Sequence, residues 1–285
     1  MNKITCDVLV VGGGAAGMRA AYAAKRSHPQ LNICLAVTGT FETGGSSNVV
    51  ASEALGINAP LNLQQDGDTP EVYLEDTLET GGGLGDPTLC RILTEESSDR
   101  IRELAELGVP FHQKDGHFHQ QKLSGCTKAR SLTCGGRTGF QITSRLRDAA
   151  LKLGVRLLEQ VDVLGLRKDA SGRVCGGYGR GAEGAVEFTA GAVVLATGGP
   201  GSIFSIHVTP PSQTGDGWAM AYESGCRFVN LEFFQIGPAV VHPDLTFIIH
   251  SHMWRFLPKL RRGRHPRNGP GPKGYVLPFF GAHRR

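Results

Sequence analysis

The residues with the clearest chemical content lie within the first twenty. An apolar run from Asp7 to Val11 stops at Gly12-Gly13-Gly14 and resumes as Ala15-Ala16-Gly17-Met18-Arg19-Ala20-Ala21. That order reads as strand, tight turn and helix. Gly12 permits the sharp turn, Gly14 has no side chain to block a pyrophosphate, and Gly17 lets the helix lie close on its strand. Phosphates would sit on the helix N-terminus, beside Ala16, where N–H groups and the positive end of the dipole attract anions. The spacing predicts a dinucleotide site. A glycine-rich turn alone is weak evidence, but here a strand precedes it and an alanine-rich helix follows it.

Three further stretches carry groups that suit the same task. Thr43-Gly44-Gly45-Ser46-Ser47-Asn48 is a polar loop whose N–H and hydroxyl groups could line a phosphate or an isoalloxazine ring, or form a plain surface loop. Ala196-Thr197-Gly198-Gly199-Pro200-Gly201 ends an apolar run and lets backbone approach a cofactor closely. In Thr214-Gly215-Asp216-Gly217, Asp216 is either a hydroxyl acceptor or a simple N-cap. A ribose-binding acid is expected at the end of the second strand, but that end reads Val37-Thr38-Gly39-Thr40, and Glu42 is a late candidate. His112, His117 and His119 suggest a metal, yet no Cys or carboxylate completes the set, and a polar hairpin is the favoured reading.

The elements that must position these groups follow from periodicity. Leu31 to Val37 reads as a second parallel strand, completing a βαβ unit. From about 60 to 135 the pattern becomes a helical insertion. Asp68-Thr69-Pro70-Glu71 starts one helix; a second runs from about Pro87, with Leu93, Ile101 and Leu104 as core positions and Gly108-Val109-Pro110 as its stop. An amphipathic helix from Thr138 to about Leu153 precedes a strand, Val155 to Leu158, and then a meander over 161–166, 173–178 and 186–189. Residues 191–196 read as a separate parallel strand buried on both faces. The fold class is α/β: a Rossmann-like domain with a parallel sheet, a β-meander and a helical insertion.

Composition fits a globular protein, with 40% hydrophobic and 20% charged residues. Seven cysteines form no CxxC pair, which argues against a zinc site, an iron–sulfur site or a disulfide framework and for reduced thiols in a cytoplasm. The sequence offers no basic and apolar leader and no stretch of about 18 apolar residues, so neither a signal peptide nor a membrane span is expected. The net charge of +4 is unevenly spread: nine of the 30 basic residues and none of the 26 acidic ones follow Asp244.

Taken in order, VVGGGAAG (10–17), GGSS (44–47), EDT (75–77) with LGVPF (107–111), RTG (137–139), ATGGPG (196–201), TGDGWAMA (214–221) and EFFQIGP (232–238) resemble the flavoprotein family of succinate dehydrogenase, fumarate reductase and L-aspartate oxidase. The resemblance covers about residues 5 to 240. It implies FAD, held by Gly12, Gly14, Ala16 and Gly17 at the pyrophosphate, by Gly45, Ser46 and Ser47 beside the flavin, by Ala196, Thr197, Gly198 and Gly199 behind the dinucleotide, and by Asp216 as an acceptor. It also implies a small-molecule substrate and an electron partner that is a quinone or an iron–sulfur subunit. Covalent members carry a histidine where this chain has Ser47, so non-covalent FAD is expected. Gly237 stands where the family usually has a substrate-gripping histidine, and His242 is either a nearby substitute or, the favoured reading, a surface histidine beside a proline. Arg130 and Arg137 fall where the family places polar residues near flavin or substrate.

The domain reading is an FAD-binding domain over 1–244 and a basic Gly/Pro/Arg-rich tail over 245–285, with the family's capping domain missing. The tail is either a basic arm for nucleic acid or, the favoured reading, a truncated or frame-shifted end of a longer flavoprotein. An NAD(P) site is disfavoured by the missing acid and by the ATGG and TGDG segments. The function expected is hydride transfer between a small organic substrate and FAD, with a catalytically incomplete FAD-binding fragment as the alternative.

Overall fold

A computed structural model of the chain describes residues 1–53, 55–123 and 126–234, and beyond them 237, 239–240 and 247–248. It divides into two compact units, Met1–Phe234 and Gln235–Arg285.

In the first unit the chain forms β1 (Asn2–Val11), α1 (Ala15–Ser27), β2 (Ile33–Ala36), the single turn α2 (Ser46–Val49) and β3 (Ile57–Asn58). There follow α3 (Pro70–Thr80), α4 (Pro87–Glu106), β4 (Gln113–Lys114), β5 (His117–Phe118), β6 (Ser131–Leu132) and α5 (Thr138–Lys152). The unit closes with β7 (Arg156–Leu158), β8 (Asp162–Lys168), β9 (Val174–Gly181), β10 (Gly184–Leu195) and α6 (Asp216–Glu223). The second unit contributes an antiparallel pair, β11 (Ala239–Val240) with β12 (Phe247–Ile248). Gln235, Ile236, Pro238, His242 and, apart from Phe247 and Ile248, the basic tail lie outside the described residues.

One six-stranded sheet, in the order β7-β2-β1-β10-β9-β8, organises the first unit. The strands from β7 to β10 run parallel, and β10, β9 and β8 are antiparallel neighbours. Side chains alternate between the two faces of a strand, and β2 shows why the sheet needs cover on both. Ile33 and Leu35 join a core with Met18 and Tyr22 of α1 and Ile142 and Leu146 of α5. Cys34 and Ala36 join a second core with Val163, Phe188 and Met220.

Two sequence expectations change here. Residues 186–189 and 191–196 are not separate strands: 184–195 is one strand, because β1 pairs with it in register from Asn2↔Val186 to Val11↔Leu195. Its first half also pairs with β9, over 184–189, and so serves as the third strand of the meander. Past Thr189 that second edge has no partner among the described residues, and Val194 is 36% exposed, where the sequence had this strand buried on both faces.

The insertion helices begin where capping chemistry directs. The Thr69 hydroxyl accepts from the Val72 N–H at 3.3 Å, and Asp86 Oδ1 accepts from Thr88 and Leu89 N–H at 2.8 and 3.1 Å, each just before a proline in the first turn. On α4 the buried stripe is Thr94, Ser97, Ile101 and Leu104. Leu93 is one residue out of that 3,4,3 spacing, so it is exposed, contrary to its sequence assignment as core. The hairpin of β4 with β5 forms at His117, as the polar pattern implied.

Arg130 ties the insertion together. Its guanidinium is fully buried, donates through Nε and Nη2 to Asp68 and through Nη1 to Asp76, and stacks 4.7 Å from the Tyr73 ring. Asp76 also accepts from the Thr127 N–H and hydroxyl. Burial alone would raise the Asp76 pKa; the bonds from Thr127 and Arg130 outweigh it and hold the carboxyl below its ordinary 3.8. A carboxylate with a lowered folded pKa stabilises the fold above its unfolded pKa, and that stability is lost as pH falls through the folded value. Urea midpoints are therefore expected to fall below about pH 4, less steeply in Asp76→Asn. Arg130→Met, which strands two buried carboxylates, is expected to cost about 3–5 kcal/mol at neutral pH in the same unfolding assay.

Candidate functional site

A cavity of about 510 Å³ opens at the carboxyl ends of β1, β2 and β10, where ligands bind in open α/β sheets. Five segments build most of its wall: Val11 to Ala16, Ala36 to Thr38 with Thr40 and Phe41, Gly44 to Asn48, Leu195 to Gly198, and Ser212 to Trp218.

The glycine turn is forced by close backbone approaches. Gly12 has φ +110°, and a Cβ there would lie 2.3 Å from the carbonyl oxygen of Ala196. A Cβ on Gly17 would lie 1.8 Å from the carbonyl oxygen of Gly12, so the helix rests directly on the turn. Gly14 differs: a Cβ there would meet only the Ser47 side chain, with Oγ at 3.4 Å, leaving its cavity side open. The Ser47 hydroxyl accepts from the Ala15 N–H at 3.2 Å, joining α2 to the first turn of α1.

The opposite wall is clamped as tightly. The Thr214 hydroxyl donates to Asp216 at 2.6 Å, Trp218 Nε1 donates to the Gly198 carbonyl at 3.1 Å, and a Cβ on Gly217 would lie 1.8 Å from Thr197 Oγ1. The arrangement presents backbone amides, small residues and hydroxyls along a trough, a surface for an elongated ligand carrying phosphates.

Ten of the residues singled out from the sequence line this one cavity: Gly12, Gly14, Ala16, Gly45, Ser46, Ser47, Ala196, Thr197, Gly198 and Asp216. Gly17 lies behind the turn, and Gly199 is not part of the lining. The polar loop at 43–48 is folded, with Phe41–Thr43 a 3-10 turn and Ser46–Val49 helical after Gly45 at φ +74°. Glu42 pairs with Arg147 at 3.0 Å and is not in the lining. Arg130 is spent on its buried carboxylates. Arg137 stacks 4.4 Å from the Phe140 ring and donates to the Asn48 carbonyl, behind the wall. Among the described residues no group of three or more His, Cys, Asp and Glu could hold a metal ion.

Sequence reasoning missed Thr38, which offers a hydroxyl where an acid was sought, Val161, whose N–H donates to the Val37 carbonyl, and Val163, which packs with Ala36 of β2.

The family profile described as FAD binding domain matches residues 7–252. The chain belongs to the FAD-binding domain family. Its cofactor is FAD. It is 32% identical over 243 residues to one subunit of the fumarate reductase (CoM/CoB) of Methanothermobacter marburgensis, covering 84% of this chain and 43% of that one. It is 37% identical to an L-aspartate oxidase of Streptomyces coelicolor, covering 84% and 41%. The Sdh1 complex of Mycobacterium smegmatis in its apo form superposes with a TM-score of 0.78 at 28% identity, covering 88% and 44%. The chain thus spans about two fifths of the length of the curated relatives it matches. The cavity suits FAD: the open side of Gly14 and the amides at the start of α1 match a pyrophosphate, and the trough continues past Ser46 and Ser47.

Two glycine variants separate packing from binding. Gly17→Ala drives a methyl into the Gly12 carbonyl, so its apoprotein is expected to melt well below wild type. Gly14→Ala has permitted dihedrals, φ −72° and ψ −174°, and is expected to keep the wild-type Tm while losing about tenfold or more in FAD affinity by titration.

Proposed function

We propose that the chain is the nucleotide-binding part of a flavoprotein oxidoreductase that transfers hydride between a small organic substrate and non-covalent FAD. The observation that carries this reading is the Gly14 opening beside the Ala15–Ser47 contact, where the start of α1, the α2 turn and the end of β10 converge on one trough. In this reading the residues from Gly12 to Ala16 bind the pyrophosphate, with Gly17 behind them seating the helix. Gly45, Ser46 and Ser47 flank the ring system, Ala196 to Gly199 back the dinucleotide, and Asp216 accepts from a hydroxyl. Bound FAD supplies the hydride-accepting ring. This chain's residues contribute orientation and exclusion of water. The domain so formed is residues 1–244, with 245–285 as a basic tail.

Attachment is read as non-covalent because Ser47 offers a hydroxyl where covalent relatives carry a histidine. The substrate is read as a small carboxylate, by analogy with the fumarate and L-aspartate named for the relatives. Two relatives are named as subunits, one of them of an 8-methylmenaquinol:fumarate reductase, which supports an electron partner that is a quinone or an iron–sulfur subunit. All seven cysteines are free, which suits a cytoplasmic setting; no helix among the described residues is long and apolar enough to cross a membrane. A second reading, FAD binding without turnover, is favoured by Gly237 in place of the substrate-gripping histidine.

The purified chain is expected to be yellow and to release all its colour into the supernatant on acid precipitation. Colour held in the pellet would overturn non-covalent attachment. Bleaching by a dicarboxylate or amino acid supports the enzymatic reading, and a flavin that no such substrate reduces supports the second.

A further inference from the structure

Asn48 is a polar residue of the cavity wall whose side chain is buried: it is 1% exposed and bonded on both sides. Its Nδ2 donates to the Phe41 carbonyl at 2.5 Å. A carbonyl only accepts, so the amide orientation is fixed and Oδ1 faces Thr143, whose hydroxyl lies 2.5 Å away and must donate to it. Thr143 sits on α5, is fully buried and is not part of the cavity lining. Its oxygen also lies 3.0 and 3.1 Å from the Gly139 and Phe140 carbonyls, but one hydrogen cannot serve three acceptors. In α5 those carbonyls accept the helix's own amides, and the Asn48 oxygen is the nearest of the three to the hydroxyl, so the hydrogen goes to it.

The backbone on either side is held by the same helix. A Cβ on Gly139 would lie 2.3 Å from the Ser47 carbonyl oxygen, and Arg137 Nη2 donates to the Asn48 carbonyl at 3.3 Å. Ser47 in turn accepts from Ala15. A continuous chain of contacts therefore runs from Thr143 through Asn48 and Ser47 to the first amide of α1. We propose that Thr143 is a positioning residue for FAD, fixing through Asn48 the turn that carries Ser46 and Ser47. The proposal rests on the reading of this cavity as the FAD site. Without the hydroxyl, the buried Asn48 oxygen loses its donor, and the turn relieves that cost by rotating away from the trough.

The test compares Thr143→Val, which removes the donor and keeps the shape, with Thr143→Ser, which restores the donor. FAD affinity is measured by titrating the apoprotein, alongside the visible circular dichroism of the bound flavin and the apoprotein Tm. Thr143→Val is expected to bind FAD about tenfold more weakly and with an altered flavin spectrum, while Thr143→Ser stays within about twofold with the wild-type spectrum. A residue that merely stabilises the core would lower the Tm and leave the spectrum unchanged. Should Thr143→Val fail to fold, Thr143→Cys, a weak donor of similar volume, is expected to fall between wild type and that loss. Wild-type affinity and spectrum in Thr143→Val, or in Thr143→Cys where it stands in, overturn the proposal, as does an equal loss in Thr143→Ser. A wild-type chain that takes up no FAD overturns the cavity reading and the proposal with it.

Discussion

The structure depends on how closely three pieces of backbone approach at the head of the sheet. The Ala196 carbonyl occupies the place a side chain on Gly12 would need, and the Gly12 carbonyl occupies the place a side chain on Gly17 would need. Those two contacts bring the ends of β1 and β10 together beneath the start of α1. They are possible only because β1 pairs with β10 in unbroken register to Val11↔Leu195, so that both strands end at the same level. The cavity is the space left above that junction, and its amide-rich floor follows from the helix beginning there.

The remaining walls are held by α5, which stands outside the lining, and by α6, whose first residues are part of it. Behind α2 stands α5, whose Gly139 allows backbone to touch backbone and whose buried side packs on α1 and the sheet. Opposite it, α6 is locked to the end of β10 through Trp218 and Thr197. The insertion helices α3 and α4 are stabilised elsewhere, by capping side chains and by the buried Arg130 with Asp68 and Asp76. A guanidinium shared between two carboxylates is costly to desolvate and more costly to break, which fixes the segment around Tyr73 and Thr127 against β6.

Much of this was legible in the sequence where a local rule sufficed. The strand, glycine turn and helix from Asp7 to Ala21, the Thr69 and Asp86 caps before prolines, and the turns of the meander each follow from a few adjacent residues. What was not legible depends on partners distant in sequence. Residues 184–195 read as two strands, 186–189 in the meander and 191–196 on its own, whereas β1 runs alongside both and keeps one ladder. Leu93 read as core from its helical spacing with Ile101 and Leu104, and Thr94 and Ser97 hold that part of the buried stripe instead. Arg130 read from the family resemblance as lying near flavin or substrate, or else as a solvated surface arginine, and its burial was not legible because nothing local reveals that Asp68 and Asp76, more than fifty positions away, consume its charge. The family resemblance located the glycine and serine motifs, but only the fold brings Ser47 to Ala15.

The most direct measurement of the central claim is hydrogen–deuterium exchange of the apoprotein with and without added FAD, resolved by segment. Exchange is expected to slow together at 12–18, 45–50, 197–198 and 214–217, four of the stretches that meet the trough, with little change across α3 and α4. Protection confined to the insertion helices, or FAD binding that leaves the glycine turn and the α2 turn unchanged, would contradict that claim.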